Sequence, residues 1–223
     1  MASPVTEWRE GVPVAGRYDD PYYSLQDGLA ETRHVFLAGT GLPGRFREGF
    51  RLAELGFGTG LNLCAALRAW RDAGAPGPLR YDGFERHPMP AGDLARALAA
   101  FPGIAREAEE VAAAWAAATG PVRELRLPDL VARVHVGDAR ALVPRWEGAA
   151  DAWFLDGFAP ARNPALWEPA LLGAVAERTA PGGRLATYSA AGAVRRALAE
   201  AGLEVERRPG FGRKRHMTVA RNP

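Results

Sequence analysis

The stretch Leu52-Ala53-Glu54-Leu55-Gly56-Phe57-Gly58-Thr59-Gly60-Leu61-Asn62 reads as a buried strand that passes through three alternate glycines into a helix. Glycines so placed remove the Cβ atoms that would hold a ligand off the backbone, and they permit the positive φ angles of a tight strand-to-helix reversal. The spacing also excludes ligands. A phosphate-binding loop needs Lys-Ser/Thr after its last glycine, and here Leu61-Asn62 follow. The dinucleotide pattern G-x-G-x-x-G needs glycine at position 61, which is leucine. A nucleoside without a pyrophosphate suits the turn better, and S-adenosylmethionine is the commonest cofactor of that kind. An ordinary βα turn is the other reading of the same glycines.

The pattern around this turn implies an α/β fold. Residues 51–55, 79–85, 130–136, 151–155 and 183–188 are strand-like, and 203–207 and 215–220 follow as a closing pair. Helical spacing covers 61–73, an alanine-rich 91–119 broken near Phe101-Pro102-Gly103, 164–179 and 190–201. Residues 1–50 read as irregular, with one helix-compatible stretch at 28–37. The expected organisation is one structural unit, an N-terminal extension over 1–50 packed on a catalytic domain over 51–223. Strands that alternate with helices predict a mostly parallel sheet, and ligands bind such sheets beyond the carboxyl ends of the strands.

Those ends carry acids: Glu54, Glu85, Asp138 and Asp156. Ionised carboxylates only accept hydrogen bonds, so they suit hydroxyls, amines and positive charge and repel phosphate. Glu85 is placed to accept from ribose hydroxyls. Asp138 would accept from an adenine amine with the Ala139 amide facing the ring, or else it caps the next helix.

Composition narrows the setting. A net charge of +2 over 223 residues creates no global field that recruits nucleic acid, although Arg207-Arg208 and Arg213-Lys214-Arg215-His216 concentrate charge late in the chain. Cys64 is the sole cysteine, which rules out an intrachain disulfide and a thiolate cluster. His34, His87, His135 and His216 show no metal spacing, so no metal is expected. Thr6, Glu7, Arg9 and Glu10 stand where a signal peptide needs an apolar core, and no run of 18 apolar residues occurs. A cytoplasmic chain without membrane contact is the expectation.

The segment Asp151-Ala152-Trp153-Phe154-Leu155-Asp156-Gly157-Phe158-Ala159-Pro160-Ala161-Arg162-Asn163-Pro164 is the most distinctive. Together with the glycine turn, the early Tyr22-Tyr23-Ser24-Leu25-Gln26-Asp27-Gly28-Leu29-Ala30-Glu31-Thr32 and the late Gly210-Phe211-Gly212-Arg213-Lys214-Arg215, it resembles the tRNA 5-(methylaminomethyl)-2-thiouridine methyltransferases. The resemblance covers almost the whole chain in order. It implies a Rossmann-like class I methyltransferase with a seven-stranded, mostly parallel sheet and an antiparallel last strand. It also implies transfer of the methyl of S-adenosyl-L-methionine to the amine of 5-aminomethyl-uridine at the wobble position, with the tRNA anticodon stem-loop as partner. By motif matching, Gly56, Gly58 and Gly60 line the methionine part, Glu85 the ribose, Asp138 and Ala139 the adenine, with Glu54, Thr59 and Asn62 also in the cofactor site. Tyr23, Asp27 and Glu31 join the same pocket, and Asp156 faces the reacting amine. Phe158, Asn163, Phe211, Arg213 and Lys214 are the substrate and RNA candidates, with Trp153 a further aromatic that stacks on a base or belongs to the core. Relatives in this family can carry a flavin oxidase half; the sequence ends at Pro223 without one, so no flavin is expected and the aminomethyl precursor is supplied from elsewhere.

The chemistry sets a demand on Asp156. An alkylammonium has a pKa near ~10 against ~4 for an ordinary aspartate, so full proton transfer between them costs roughly 8 kcal/mol. Orientation and assisted proton acceptance are the role this allows. A small-molecule methyltransferase and a silent nucleotide- or RNA-binding module are the competing readings.

Overall fold

The computed structural model describes residues 5–24 and 27–223, so Leu25 and Gln26 of the early motif lie outside the described residues. The first fifty residues are more regular than their sequence suggests. β1 (Val5–Arg9), β2 (Val12–Ala15) and β3 (Asp20–Pro21) form a small antiparallel sheet. The β1–β2 turn is Glu10-Gly11, both at positive φ, which matches the twist of a two-residue hairpin. α1 (Gly28–Thr32) follows and widens into a π-type turn over Arg33–Ala38.

The main sheet comes next in the chain. β4 (Arg51–Leu55) leads through the glycine turn to α2 (Leu61–Asp72), and β5 (Leu79–Glu85) leads to α3 (Ala91–Leu98) and α4 (Ala105–Ala117). β6 (Val122–Leu127) and β7 (Leu130–Val136) form an antiparallel hairpin before the short α5 (Ala139–Leu142). β8 (Ala150–Leu155), α6 (Pro169–Glu177), β9 (Thr179–Thr187) and α7 (Gly192–Glu200) complete the alternation, and β10 (Glu204–Pro209) and β11 (His216–Arg221) close it.

Among the described residues this sheet has eight strands in the order β10-β11-β9-β8-β4-β5-β7-β6. The expected seven are present, with β11 antiparallel to both neighbours. The eighth is β6, added antiparallel at the β7 edge. Only Leu125 of β6 is buried, which is why the strand left so faint a periodic signal. The helix expected over 164–179 is a 3₁₀ turn (Pro164–Trp167) followed by α6, because Pro169 cannot continue a helix and can begin one.

Alternation along the central strands builds two cores. Leu52, Ala152 and Phe154 face one side with α1–α4, while Ala53, Leu55, Trp153 and Leu155 face the other with α5–α7. Trp153 is fully buried, stacked near Phe84 and edge-on to Trp146, so it belongs to the core and does not stack on a base. The ends of β4, β5, β7 and β8 then converge at one rim. No helix among the described residues is long and apolar enough to cross a membrane.

Candidate active site

The glycine turn is conformationally specific. Gly56, Gly58 and Gly60 have φ of 79°, 55° and 77°, a region costly for residues with a Cβ. At Gly56 a Cβ would also overlap the carbonyl oxygen of Asp156, so the turn packs directly on the end of β8. Gly60 is the N-cap of α2 and Thr59 is buried beside it.

Glu85, at the end of β5, reaches into this turn. Its Oε2 accepts from the Gly58 amide at 2.9 Å and its Oε1 from the His87 amide at 2.7 Å. A carboxylate therefore occupies the amide that a phosphate would need.

Two adjoining cavities, of about 460 and 600 Å³, share Tyr22, Gly56, Glu85, Gly157 and Phe158. The first is a slot between Phe84, Pro88, Ala139 and Leu166, with Asp138 and Asn163 on its wall. Asp138 caps α5 by accepting from the Arg140 amide at 3.0 Å. The Arg140 guanidinium holds its carboxyl down at about 2, with Arg86 assisting. It is thus both helix cap and slot wall.

The second cavity holds Tyr23, Glu31, Thr59, Asn62, Asp156, Phe211, Arg213 and Lys214. Asp156 follows β8; its Oδ2 accepts from Asn62 Nδ2 at 2.8 Å and its Oδ1 from the Gly157 amide at 2.8 Å. Burial raises its carboxyl to about 7, against the pull of those two donors. Asn62 Nδ2 also donates to Glu54, and Tyr81 donates its hydroxyl to the same carboxyl. Burial, with the charge of Asp156 next, pushes Glu54 well above the carboxylate range. Glu54 lies behind Asn62, off the cavity wall, so any effect it has on a ligand passes through its neighbours.

The remaining candidates divide clearly. Asp27 is exposed and caps α1 at the Ala30 amide, 2.8 Å away, rather than lining either cavity. Tyr23 donates its hydroxyl to the Ala97 carbonyl at 3.2 Å. Lys214, itself exposed, has its Nζ 2.6 Å from Glu31 and 3.9 Å from the Tyr188 ring centroid. Arg213 is exposed on the cavity wall, and Arg215 is exposed two residues on.

Four residues that sequence reasoning passed over complete the walls. Tyr18 stacks on Phe158 at 4.6 Å and Tyr22 meets the same ring edge-on at 5.2 Å. The Ala159 amide donates to Asp20 and Arg162 to the Tyr18 carbonyl, so the β2–β3 segment is strapped across both cavities. Tyr188 donates to the Gly157 carbonyl at 2.6 Å, and Thr32 to Asn62 at 2.8 Å. Tyr188 directly follows β9, so the strand-end rule that found the acids could have found it too.

Comparison with known proteins agrees with this geometry. Residues 102–223 match a family model described as S-adenosyl-L-methionine-dependent methyltransferase. The chain is 47% identical over 222 residues to the tRNA 5-methylaminomethyl-2-thiouridine biosynthesis bifunctional protein MnmC of Caulobacter vibrioides, covering 97% of this chain and 38% of that protein. It is 45% identical to the protein of the same name from Ralstonia nicotianae, covering 96% and 33%. The chain therefore spans roughly a third of the length of these relatives. Among solved structures, MNMC2 from Aquifex aeolicus superposes with a TM-score of 0.78 at 26% identity, over 99% of this chain and 70% of that one. With the glycine turn tied to Glu85 and a rim of strand-end acids beside it, the match to the family model places the chain in the S-adenosyl-L-methionine-dependent methyltransferase family.

Proposed function

We propose that this methyltransferase acts on tRNA, moving the methyl of S-adenosyl-L-methionine to the amine of 5-aminomethyl-(2-thio)uridine at the wobble position. Similarity to proteins named for 5-methylaminomethyl-2-thiouridine biosynthesis supports the substrate class. The observation that carries the chemistry is Asp156, a carboxylate at the inner wall of the larger cavity with two donors behind it and open space before it.

The bound sulfonium supplies an electrophilic methyl carbon. The chain's residues do the rest. The apolar slot takes the adenine, Glu85 accepts from the ribose hydroxyls, and the glycine turn leaves room for the methionine part. An acceptor amine must be neutral to attack, and its ordinary pKa of ~10 lies only ~3 units above the value of about 7 for Asp156, leaving roughly 4 kcal/mol for proton transfer. That is half the barrier an ordinary aspartate would face. Positioning the amine beside the methyl supplies effective concentration toward the rest.

Arg213 on the cavity wall and the exposed Arg215 nearby in the chain offer charge to the phosphates of the anticodon stem-loop, and Phe211 offers a ring to a base turned into the cavity. Phe158 already has Tyr18 on one face, so it serves as a wall between the two cavities. Residues 1–50 act as an extension that closes over the 51–223 domain, through the strap from Tyr18 to Tyr22. The test is methyl transfer from labelled S-adenosylmethionine to tRNA carrying 5-aminomethyl-uridine, followed by nucleoside analysis. Label in 5-methylaminomethyl-uridine supports the proposal; label only on free small amines replaces it with a small-molecule activity.

A further inference from the structure

Asn62 lies in the first turn of α2 and is 5% exposed, and its amide has no N–H left for a ligand. Nδ2 donates to Glu54 Oε1 and to Asp156 Oδ2, while Oδ1 accepts from the hydroxyl of Thr32, itself 3% exposed. We infer that Asn62, its amide turned by Thr32, is a positioning residue that holds Asp156 ionised and aimed at the acceptor amine, rather than a residue that binds cofactor.

The physical case rests on what two buried carboxyls need. Donors favour the charged form of a carboxyl, and one NH₂ group here serves both acids at once. A flipped amide would set its oxygen against both. Asp156 Oδ1 has the Gly157 amide, so Asn62 is the side-chain donor on its other oxygen. The other titratable groups around Asp156 are Glu54 and Tyr81 from the sheet, Glu31 from α1, Tyr188 after β9 and Lys214 from the β10–β11 loop. None of them is substituted in the variants below; Asn62→Leu takes a donor from Glu54 as well, whereas Thr32→Val leaves the amide in place between the two acids.

The role in catalysis rests on the proposed amine methylation, but the test does not require it. The Asp156 carboxyl can be titrated by ¹³C NMR in the full chain, assigned through the signal lost in Asp156→Asn. In Asn62→Leu the midpoint should move upward by about 1–2 pH units, the equivalent of one hydrogen bond to a charged group. Thr32→Val keeps both carboxyls and the amide, so it guards against a simple folding defect and should shift the midpoint the same way by a smaller step. Affinity for S-adenosylhomocysteine should stay within about twofold in both. On tRNA bearing the aminomethyl group, the acid limb of the rate profile should move with the NMR midpoint. An unmoved midpoint in both folded variants overturns the inference, as does an unmoved midpoint with weakened cofactor binding. Shifted midpoints with no methyl transfer by the wild type would uphold the role of Asn62 in setting Asp156 and overturn the tRNA proposal alone.

Discussion

The Gly58 amide donates to Glu85 at 2.9 Å, so the end of β5 is tied to the glycine turn before any ligand arrives. The bond orients the carboxylate at the junction of the two cavities, where ribose hydroxyls would meet it. Glu85→Ala should weaken S-adenosylmethionine binding by the roughly 1.5–3 kcal/mol of a hydrogen bond to a charged group, about 10- to 150-fold in Kd. Calorimetry measures this directly. Unchanged affinity would remove Glu85 from the cofactor site.

Gly56 tests how tightly the turn is built. At Gly56→Ala the new Cβ meets the Asp156 backbone and the φ of 79° opposes an L side chain, whereas at Gly74→Ala the φ is 58° in open space. The Gly74 variant should cost about 1–2 kcal/mol in urea unfolding, the αL penalty alone. Gly56→Ala should cost clearly more and should abolish cofactor binding. Equal costs would mean that the β8 contact carries no weight.

Most of this frame is legible in the sequence, and the gaps have physical causes. The central strands β4, β5 and β8 announce themselves because both faces are largely buried and turn residues bound them, and β7 by its β-branched residues. β6 buries one side chain, and the β1–β2 turn uses Glu10 where Asn or Asp is the usual sign, so both fell below a periodicity reading. Strand-end acids pointed to the right rim. Their separate tasks follow only in part: the cap by Asp138 is one of two open readings and rests on Arg140 two residues on, whereas Glu54 as a second carboxyl behind Asn62 depends on Tyr81, distant in the chain. Likewise the run Arg213-Lys214-Arg215 looks uniform in sequence, yet its lysine is the residue that pairs with Glu31.

That division changes what the basic loop should do. Arg213→Glu with Arg215→Glu should raise the KM for tRNA and flatten its dependence on salt, because phosphate contacts release counterions. Cofactor affinity should hardly move. Steady-state kinetics at several salt concentrations decide it, and an unchanged KM would locate the RNA contacts elsewhere.

Asp156 should also lower stability where the enzyme works. A carboxyl held at about 7 in the folded chain binds more protons folded than unfolded between pH ~4 and 7, so its contribution to stability falls as pH rises through that window. Asp156→Asn should therefore gain stability relative to wild type from pH 5 to pH 8, by roughly 2–3 kcal/mol. Urea unfolding at the two pH values measures the difference. A gap that shrinks with pH would mean that Asp156 is an ordinary low-pKa acid.

The most direct measurement is single-turnover methyl transfer to tRNA bearing 5-aminomethyl-uridine, comparing wild type with Asp156→Asn. The substitution keeps the side chain's size and removes its charge and proton-accepting capacity. The rate should fall by about 10²–10⁴, the range for a general base, with cofactor affinity little changed and part of the rate regained as pH rises and more amine is neutral. Transfer at near wild-type rate by Asp156→Asn would contradict the assignment of the amine's proton to this carboxylate.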